Sequence, residues 1–382
     1  GHALVEPGVT YQQLYDHLKA NDTGLWVDCD RNGMNSVSGS ICAREYGYTP
    51  YGDHLMMQCG MEVMLADGGV VRTGMGAMPK NNTWQLYKYG FGPYVDGLFT
   101  QSDLGIVTKI GLWLMPEPPS YKPFMVTLPK LESLAAAVEV MRTLKINMII
   151  GNTVVISSPL LDVAPYASRT DFINGDAVDA AAVTEKNNLG EWNLYAALYG
   201  TPENVALLWS MIEPALSSME GSKIYGRDER GDDPVWQNRE KMMRGVPASE
   251  MAKINNWQGS GNIQLAVTAP LAGEDALQVH KIVTVALANH GFDYLSEYAV
   301  AWRSLKNRIY LPFDQTSEDS LARAQGCARE LVNSLAAAGY GVTHASTGYL
   351  PMALKVYSQG GLADLRGRLK TALDPEGVLA PS

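Results

Sequence analysis

Apolar positions along this chain recur at helical spacing in several stretches, separated by shorter runs rich in β-branched and aromatic residues. Helices are expected over residues 10–20, 131–144, 202–216, 274–289, 317–338 and 362–373. Strands are expected over 194–199, 263–269, 295–301, 308–312 and 340–345. The apolar run over 61–65 reads as a further buried strand, closed by a turn at Asp67-Gly68-Gly69. From Asn262 to Ala345 the order strand, helix, strand, strand, helix, strand describes a ferredoxin-like unit with an antiparallel sheet. The expected fold class is therefore α+β. Pro116-Glu117-Pro118-Pro119 reads as an extended linker, because clustered prolines favour extended chain. It separates a block 1–118 from a block 119–350, with a closing segment 351–382. No repeat at solenoid spacing and no low-complexity tract is visible.

Composition narrows the function. The chain has 382 residues, 46% of them hydrophobic, enough for sizeable cores in two or three domains. A net charge of -10 argues against a nucleic-acid partner, which needs a basic face. No uninterrupted apolar run reaches the ~18 residues of a membrane span, so no membrane partner is expected. Cys29, Cys42, Cys59 and Cys327 lack Cys-x-x-Cys spacing; no metal site or disulfide framework is indicated, and each is expected as a buried thiol. The opening Gly1-His2-Ala3-Leu4-Val5 lacks a basic segment followed by an apolar one and is not read as a signal peptide.

The densest local signal is Glu45-Tyr46-Gly47-Tyr48-Thr49-Pro50-Tyr51-Gly52-Asp53-His54. Glycines, a proline and three tyrosines make a tight aromatic loop that feeds a core strand. Such a loop suits a flat aromatic cofactor, because glycines let the backbone approach closely. On composition alone it reads first as a plain Gly/Pro turn. Gly47-Tyr48-Thr49-Pro50-Tyr51-Gly52-Asp53-His54, Met56-Met57-Gln58-Cys59-Gly60-Met61-Glu62-Val63 and Arg72-Thr73-Gly74-Met75-Gly76 resemble the flavoprotein family of vanillyl-alcohol oxidase, eugenol oxidase and p-cresol methylhydroxylase. The resemblance extends through Tyr89-Gly90-Phe91-Gly92-Pro93-Tyr94, Gly105-Ile106-Val107-Thr108-Lys109-Ile110-Gly111 and Trp192-Asn193-Leu194-Tyr195-Ala196-Ala197-Leu198-Tyr199-Gly200 to Leu373-Asp374-Pro375-Glu376-Gly377-Val378-Leu379-Ala380-Pro381. It covers nearly the whole chain. The opening resembles a point inside the family's flavin domain, so block 1–118 corresponds to the second half of that domain. Block 119–350 corresponds to a cap domain over the flavin, and 351–382 to a segment returning to the FAD domain.

The resemblance implies FAD-dependent oxidation of a para-alkylphenol, with hydride leaving the benzylic carbon and a quinone methide that adds water. Ser36-Val37-Ser38-Gly39-Ser40, Arg44, Gly47-Tyr48-Thr49 and Tyr51 correspond to the flavin-contacting loop, and Gly105-Ile106-Val107 to the stretch along the adenine end. Relatives attach FAD through a histidine or tyrosine just before a tryptophan; Asn255 stands there in Ile254-Asn255-Asn256-Trp257, so FAD is expected to be non-covalent. Glu297, His344 and Arg31 are the candidate catalytic residues. Glu297 is retained from the family pattern, and Arg303 or Lys306 is its expected ion partner. His344 is the histidine nearest the place where the family's phenolate-holding Tyr-Arg pair is missing. Arg31, with Asp30 adjacent, stands where oxidase relatives carry an aspartate, and a third family tyrosine reads Asn238. Trp257, Tyr298, Trp302 and Tyr349 fall where a cap covers the ring, with core packing as their plain explanation.

Met56-Met57-Gln58-Cys59 and Tyr121-Lys122-Pro123-Phe124 lean towards the hydroxylating dehydrogenase branch. That branch implies a small phenolic substrate, a cytochrome c acceptor and a homodimer. The competing reading is a catalytically impaired flavin-fold protein or subunit, motivated by the missing attachment residue and Tyr-Arg pair.

Overall fold

The structure, a computed structural model, describes all residues except Asp176, Gln359 and 380–382, and not the side chain of Thr347. Ala380 and Pro381 of the C-terminal motif therefore lie outside the described residues. The chain forms two compact units, one made of 1–117, 244–248 and 354–382, the other of 118–243 and 249–353.

The first unit contains β1 (His2–Val5), α1 (Tyr11–Ala20), β2 (Leu25–Trp26), α2 (Val37–Cys42), α3 (His54–Met57), β3 (Gln58–Met64), β4 (Val70–Arg72), β5 (Ile106–Trp113) and β6 (Met115–Pro116). Its main sheet runs β1-β5-β3-β4, antiparallel throughout. Thr10 starts α1 with a reciprocal capping box to Gln13, satisfying two donors the first turn would otherwise leave open. Tyr11, Leu14 and Leu18 then fall on one face and are buried. They join Val27, Val37, Ile41, Met61, Val63 and Ile110 in the core. The 61–65 strand exists but begins earlier, at Gln58. Its ladder to β5 shifts register between Gln58 and Met61, and Gly60 sits inside that bulge at φ +80°. The proline-rich linker is shorter than expected: Met115 and Pro116 already pair with Trp26 and Leu25.

The second unit contains β7 (Ser120–Leu128), α4 (Ser133–Ile146), β8 (Val154–Ser157), α5 (Pro159–Val163), a small hairpin β9 (Ile173–Asn174) and β10 (Ala177–Val178), α6 (Ala180–Asn187), β11 (Trp192–Gly200), α7 (Pro202–Ser217), β12 (Lys223–Tyr225), α8 (Arg227–Arg230), α9 (Pro234–Met243), β13 (Gly261–Pro270), α10 (Gly273–Asn289), β14 (Ser296–Val300), β15 (Ser304–Phe313), α11 (Glu318–Ala337) and β16 (Gly341–Ala345). One eight-stranded sheet runs β12-β7-β11-β8-β14-β15-β13-β16. Its right half is the expected ferredoxin-like unit, with strands in the order second, third, first, fourth. Its left half repeats that plan in mirror sequence from β12 to β8. The second strands of the two halves, β8 and β14, pair antiparallel to form the seam. Only one half was expected from the sequence. The other was hidden by Pro123 inside β7, by the four-residue length of β8, and by α5 to α6 inserted before the third strand.

The chain closes with α12 (Leu350–Val356) and α13 (Gly361–Leu373). Leu369 and Leu373 of α13 pack on the first unit's core, and Lys370 Nζ bonds Asp103 at 3.0 Å and Asp374 at 2.7 Å. All four cysteines are free thiols; Cys42 is half-buried and the others buried. Among the described residues no helix is long and apolar enough to cross a membrane.

Gly60 yields a direct test. An added Cβ would lie 2.4 Å from Trp84 Nε1, in a backbone region that side chains avoid. Gly60→Ala is expected to lose about 1–3 kcal/mol in a urea titration; an unchanged midpoint would show that the bulge relaxes.

Candidate functional site

In the first unit, Ser36 caps α2, its Oγ accepting from Gly39 N at 3.4 Å and lying 3.0 Å from Ser38 Oγ. Gly39 is exposed, and a Cβ there would meet only Ser36 at ordinary contact distance. A backbone so uncovered can be approached by a bulky group. Val37, Ser40, Tyr48 and Thr49 instead turn their side chains into the core, leaving main-chain atoms for any outward contact. Gly47 N donates to Gly52 O at 2.9 Å and closes the aromatic turn. Its need for glycine is steric: a Cβ would sit 1.5 Å from Asp28 Oδ1 and 2.6 Å from Cys29 O. Arg44 adopts φ +58° and spends its guanidinium on Thr100, Nε lying 3.1 Å from Oγ1. Tyr51 and Gly105 are half-buried, as is Val107, while Ile106 is exposed at the start of β5. Arg31 pairs with Glu45 at 3.6 Å, and neighbouring Asp30 accepts from Asn32 N and Asn35 Nδ2.

Sequence reading missed the polar centre behind this loop. Asp28 Oδ2 accepts the Thr49 N–H at 2.7 Å, and Oδ1 lies 2.7 Å from His54 Nε2. His54 Nδ1 is 3.1 Å from Tyr11 Oη and 3.2 Å from Ser40 Oγ. Burial pushes the imidazole pKa down, but the hydrogen bond and charge of Asp28, aided by Asp30 and Glu45, outweigh it and raise the pKa above the ordinary value. The Asp53-His54 dipeptide was visible in the motif; its partner Asp28 carried no local signal.

In the second unit, Glu297 is fully buried on β14. Two of its partners are arginines that the sequence did not single out: Oε2 is 2.9 Å from Arg239 Nη1 and Oε1 is 3.2 Å from Arg308 Nη1. Register accounts for one of them, since Arg308 stands directly opposite Glu297 on β15, so the two side chains share a face. Arg239, on α9, also bonds Asp162 Oδ1 at 2.9 Å and Ser157 Oγ at 3.0 Å, and lies over the Tyr195 ring. Tyr195 Oη donates to Asp162 Oδ2 at 2.8 Å. Burial raises the Asp162 carboxyl above its ordinary value, against the pull of Arg239.

Direct cross-strand partners place Thr127, Asn193, Ser157, Glu297, Arg308, Ala266 and His344 in one row across the sheet. His344 is half-buried at the β16 end of that row. Three strand spacings separate it from Glu297, roughly 14 Å, so the two share a face without touching. Tyr298 points the other way, buried with its hydroxyl on Ala276 O of α10 at 3.1 Å. Asn255 is half-buried in the 3₁₀ stretch Glu250–Trp257, and Trp257 Nε1 donates to Asp293 at 2.9 Å. Asn238 is buried beside Arg239 on α9, and Trp302 is exposed. Among the described residues no three metal-ligating side chains stand together.

A capped glycine turn with open backbone leaves main-chain atoms that a bulky ligand can approach, and comparison with known proteins supplies the family. Residues 1–74 match the family described as FAD binding domain. The chain is 36% identical over 387 residues to the 4-cresol dehydrogenase [hydroxylating] flavoprotein subunit of Pseudomonas putida, covering 100% of this chain and 74% of that protein. The crystal structure of p-cresol methylhydroxylase with substrate bound superposes at TM-score 0.96, with 36% identity over 100% of this chain and 75% of that one. The 4-ethylphenol oxidase of Gulosibacter chungangensis, in its isoeugenol complex, superposes at 0.95 with 30% identity over 100% of this chain and 76% of that one. This chain belongs to the vanillyl-alcohol oxidase and p-cresol methylhydroxylase family of FAD-dependent oxidoreductases. FAD is its cofactor, and the α+β class with antiparallel sheets is as the sequence indicated.

The raised His54 value has a signed consequence. A histidine whose folded pKa exceeds its unfolded one stabilises the fold below the unfolded value of ~6.5, and that contribution disappears as pH rises through the folded pKa. His54→Gln is therefore expected to cost more stability near pH ~6 than near pH ~9. Thermal melts of both proteins at the two pH values check this; an equal loss at both would contradict it.

Proposed function

We propose that this chain oxidises para-alkylphenols, the observation carrying that reading being 36% identity over the whole chain to a 4-cresol dehydrogenase flavoprotein subunit. Bound FAD would supply a two-electron acceptor for hydride from the benzylic carbon of the deprotonated phenol, and the quinone methide so formed would add water to give the benzylic alcohol. Ser36, Val37, Gly39, Ser40, Gly47, Tyr48 and Thr49 hold the cofactor mainly through main-chain atoms, because the larger side chains face inward. Arg44, Tyr51, Gly105, Ile106 and Val107 complete that contact, and Asn255 forms no covalent bond to the flavin. Blocks 1–118 and 351–382 serve the flavin, and 119–350 the substrate.

Glu297 acts in this reading by fixing Arg239 and Arg308 rather than as a free base, since both its oxygens are engaged by guanidinium groups. His344 is the partner for the phenol oxygen at the open end of the polar row, and Arg31 a positive neighbour for the cofactor. A buried phenolate needs compensating donors, and with no Tyr-Arg pair before Thr343 turnover is weak and favours alkaline pH. The dehydrogenase branch brings a cytochrome c acceptor and a homodimer. The second reading, an impaired flavoprotein, is favoured by the same missing pair and by the saturated ion pairing of Glu297.

Anaerobic addition of 4-cresol to the FAD-loaded chain is expected to bleach the flavin slowly, faster at alkaline pH, and His344→Ala is expected to slow it further. No bleaching at any pH would favour the impaired reading. Acid precipitation is expected to leave all flavin in the supernatant; a yellow washed pellet would point to a covalent bond elsewhere.

A further inference from the structure

Asp28, His54 and Ser40 carry the residue types of a nucleophilic triad. The space beside them measures about 10 Å³, scarcely room for one water, and Ser40 is 5% exposed. No substrate reaches that hydroxyl, so hydrolytic chemistry is not what the three residues provide. They link.

One Asp28 oxygen holds the Thr49 amide and the other holds His54, at the start of α3. The far nitrogen of His54 reaches Ser40 on α2. Three separate segments are thereby tied to one carboxylate: the aromatic turn, α2 and α3. The turn is also blocked from the inside, because Gly47 leaves no space for a Cβ against the same Asp28. The hydrogen bond to Thr49 resists outward movement and the close contact at Gly47 resists inward movement. Since Val37, Ser40, Tyr48 and Thr49 bury their side chains, the placement of their main chain is what an outside ligand meets. A small displacement of such a surface weakens several contacts together.

We propose that the buried Asp28–His54 pair is a positioning device that sets the turn 47–49 against α2 for the FAD that both contact. This rests on the cofactor assignment above and adds residues to which that assignment gives no role. The pair works without touching the cofactor. Tyr11 of α1 shares the same imidazole nitrogen, and its own link to the loop before α2 is a main-chain bond to Asn35 O at 3.2 Å that Tyr11→Phe keeps.

The test compares FAD dissociation constants, by flavin fluorescence titration, with thermal midpoints of the same apoproteins. Asp28→Asn and His54→Gln are expected to weaken FAD binding at least about tenfold, and Ser40→Ala about threefold to tenfold. Tyr11→Phe, equally buried and losing a hydrogen bond to the same histidine, is expected to leave FAD affinity within about twofold. A purely structural role would instead make affinity follow the midpoint through all four variants. Should Asp28→Asn not fold, Ser40→Ala against Tyr11→Phe decides alone. Affinity unchanged in the folded Asp28, His54 and Ser40 variants would overturn the proposal while leaving the cofactor assignment standing. An unsubstituted chain that takes up no FAD would overturn both.

Discussion

The second unit depends on a buried ion network whose charges cancel. Arg239 and Arg308 face Glu297 and Asp162, and all four are almost completely excluded from solvent. Each ion loses several kcal/mol of hydration on burial, and only close geometry with further hydrogen bonds offsets that loss. Ser157 and Tyr195 supply those bonds. The location follows from topology. Two ferredoxin-like halves meet at β8 and β14, and Arg239 reaches from α9 to Ser157 on one strand and Glu297 on the other. The seam between the halves is therefore bridged on the face away from α10 by charge, while Tyr298 faces α10 within the apolar layer.

The first unit uses the same device in smaller form. Asp28 is a buried carboxylate whose two oxygens are both engaged, one by a main-chain amide and one by His54. In each unit an anion inside the fold fixes neighbouring segments: the turn at Gly47–Thr49 in one, and strands β14 and β15 with helix α9 in the other.

Much of the frame was legible because its signals are local. Helix periodicity gave α1, α4, α7, α10, α11 and α13 to within two residues at each end but missed α9, and the order of strands over 262–345 gave one ferredoxin-like half. The other half was not legible: a strand containing Pro123 and one only four residues long fall below what periodicity can register. In the candidate site, the glycine and tyrosine pattern marked a tight aromatic turn, yet the reason for Gly47 lay in Asp28, which no spacing rule connects to it. Glu297 was found and its partners were not. Arg239 is 58 positions away in sequence, and nothing near it marks it as the residue that closes the network. Long-range polar pairs are created by packing, and a single sequence records only their separate members.

The central claim is that the charge-balanced network at the seam holds the second unit in place. The most direct measurement is the urea unfolding free energy of Arg239→Met, followed through the buried tryptophans Trp192 and Trp236. Removing one guanidinium takes the Arg239 cation away from both Asp162 and Glu297. The expected loss is about 3–5 kcal/mol, the cost of breaking a buried pair from one side. A loss below about 1 kcal/mol, the size of an exposed surface pair, would contradict the account.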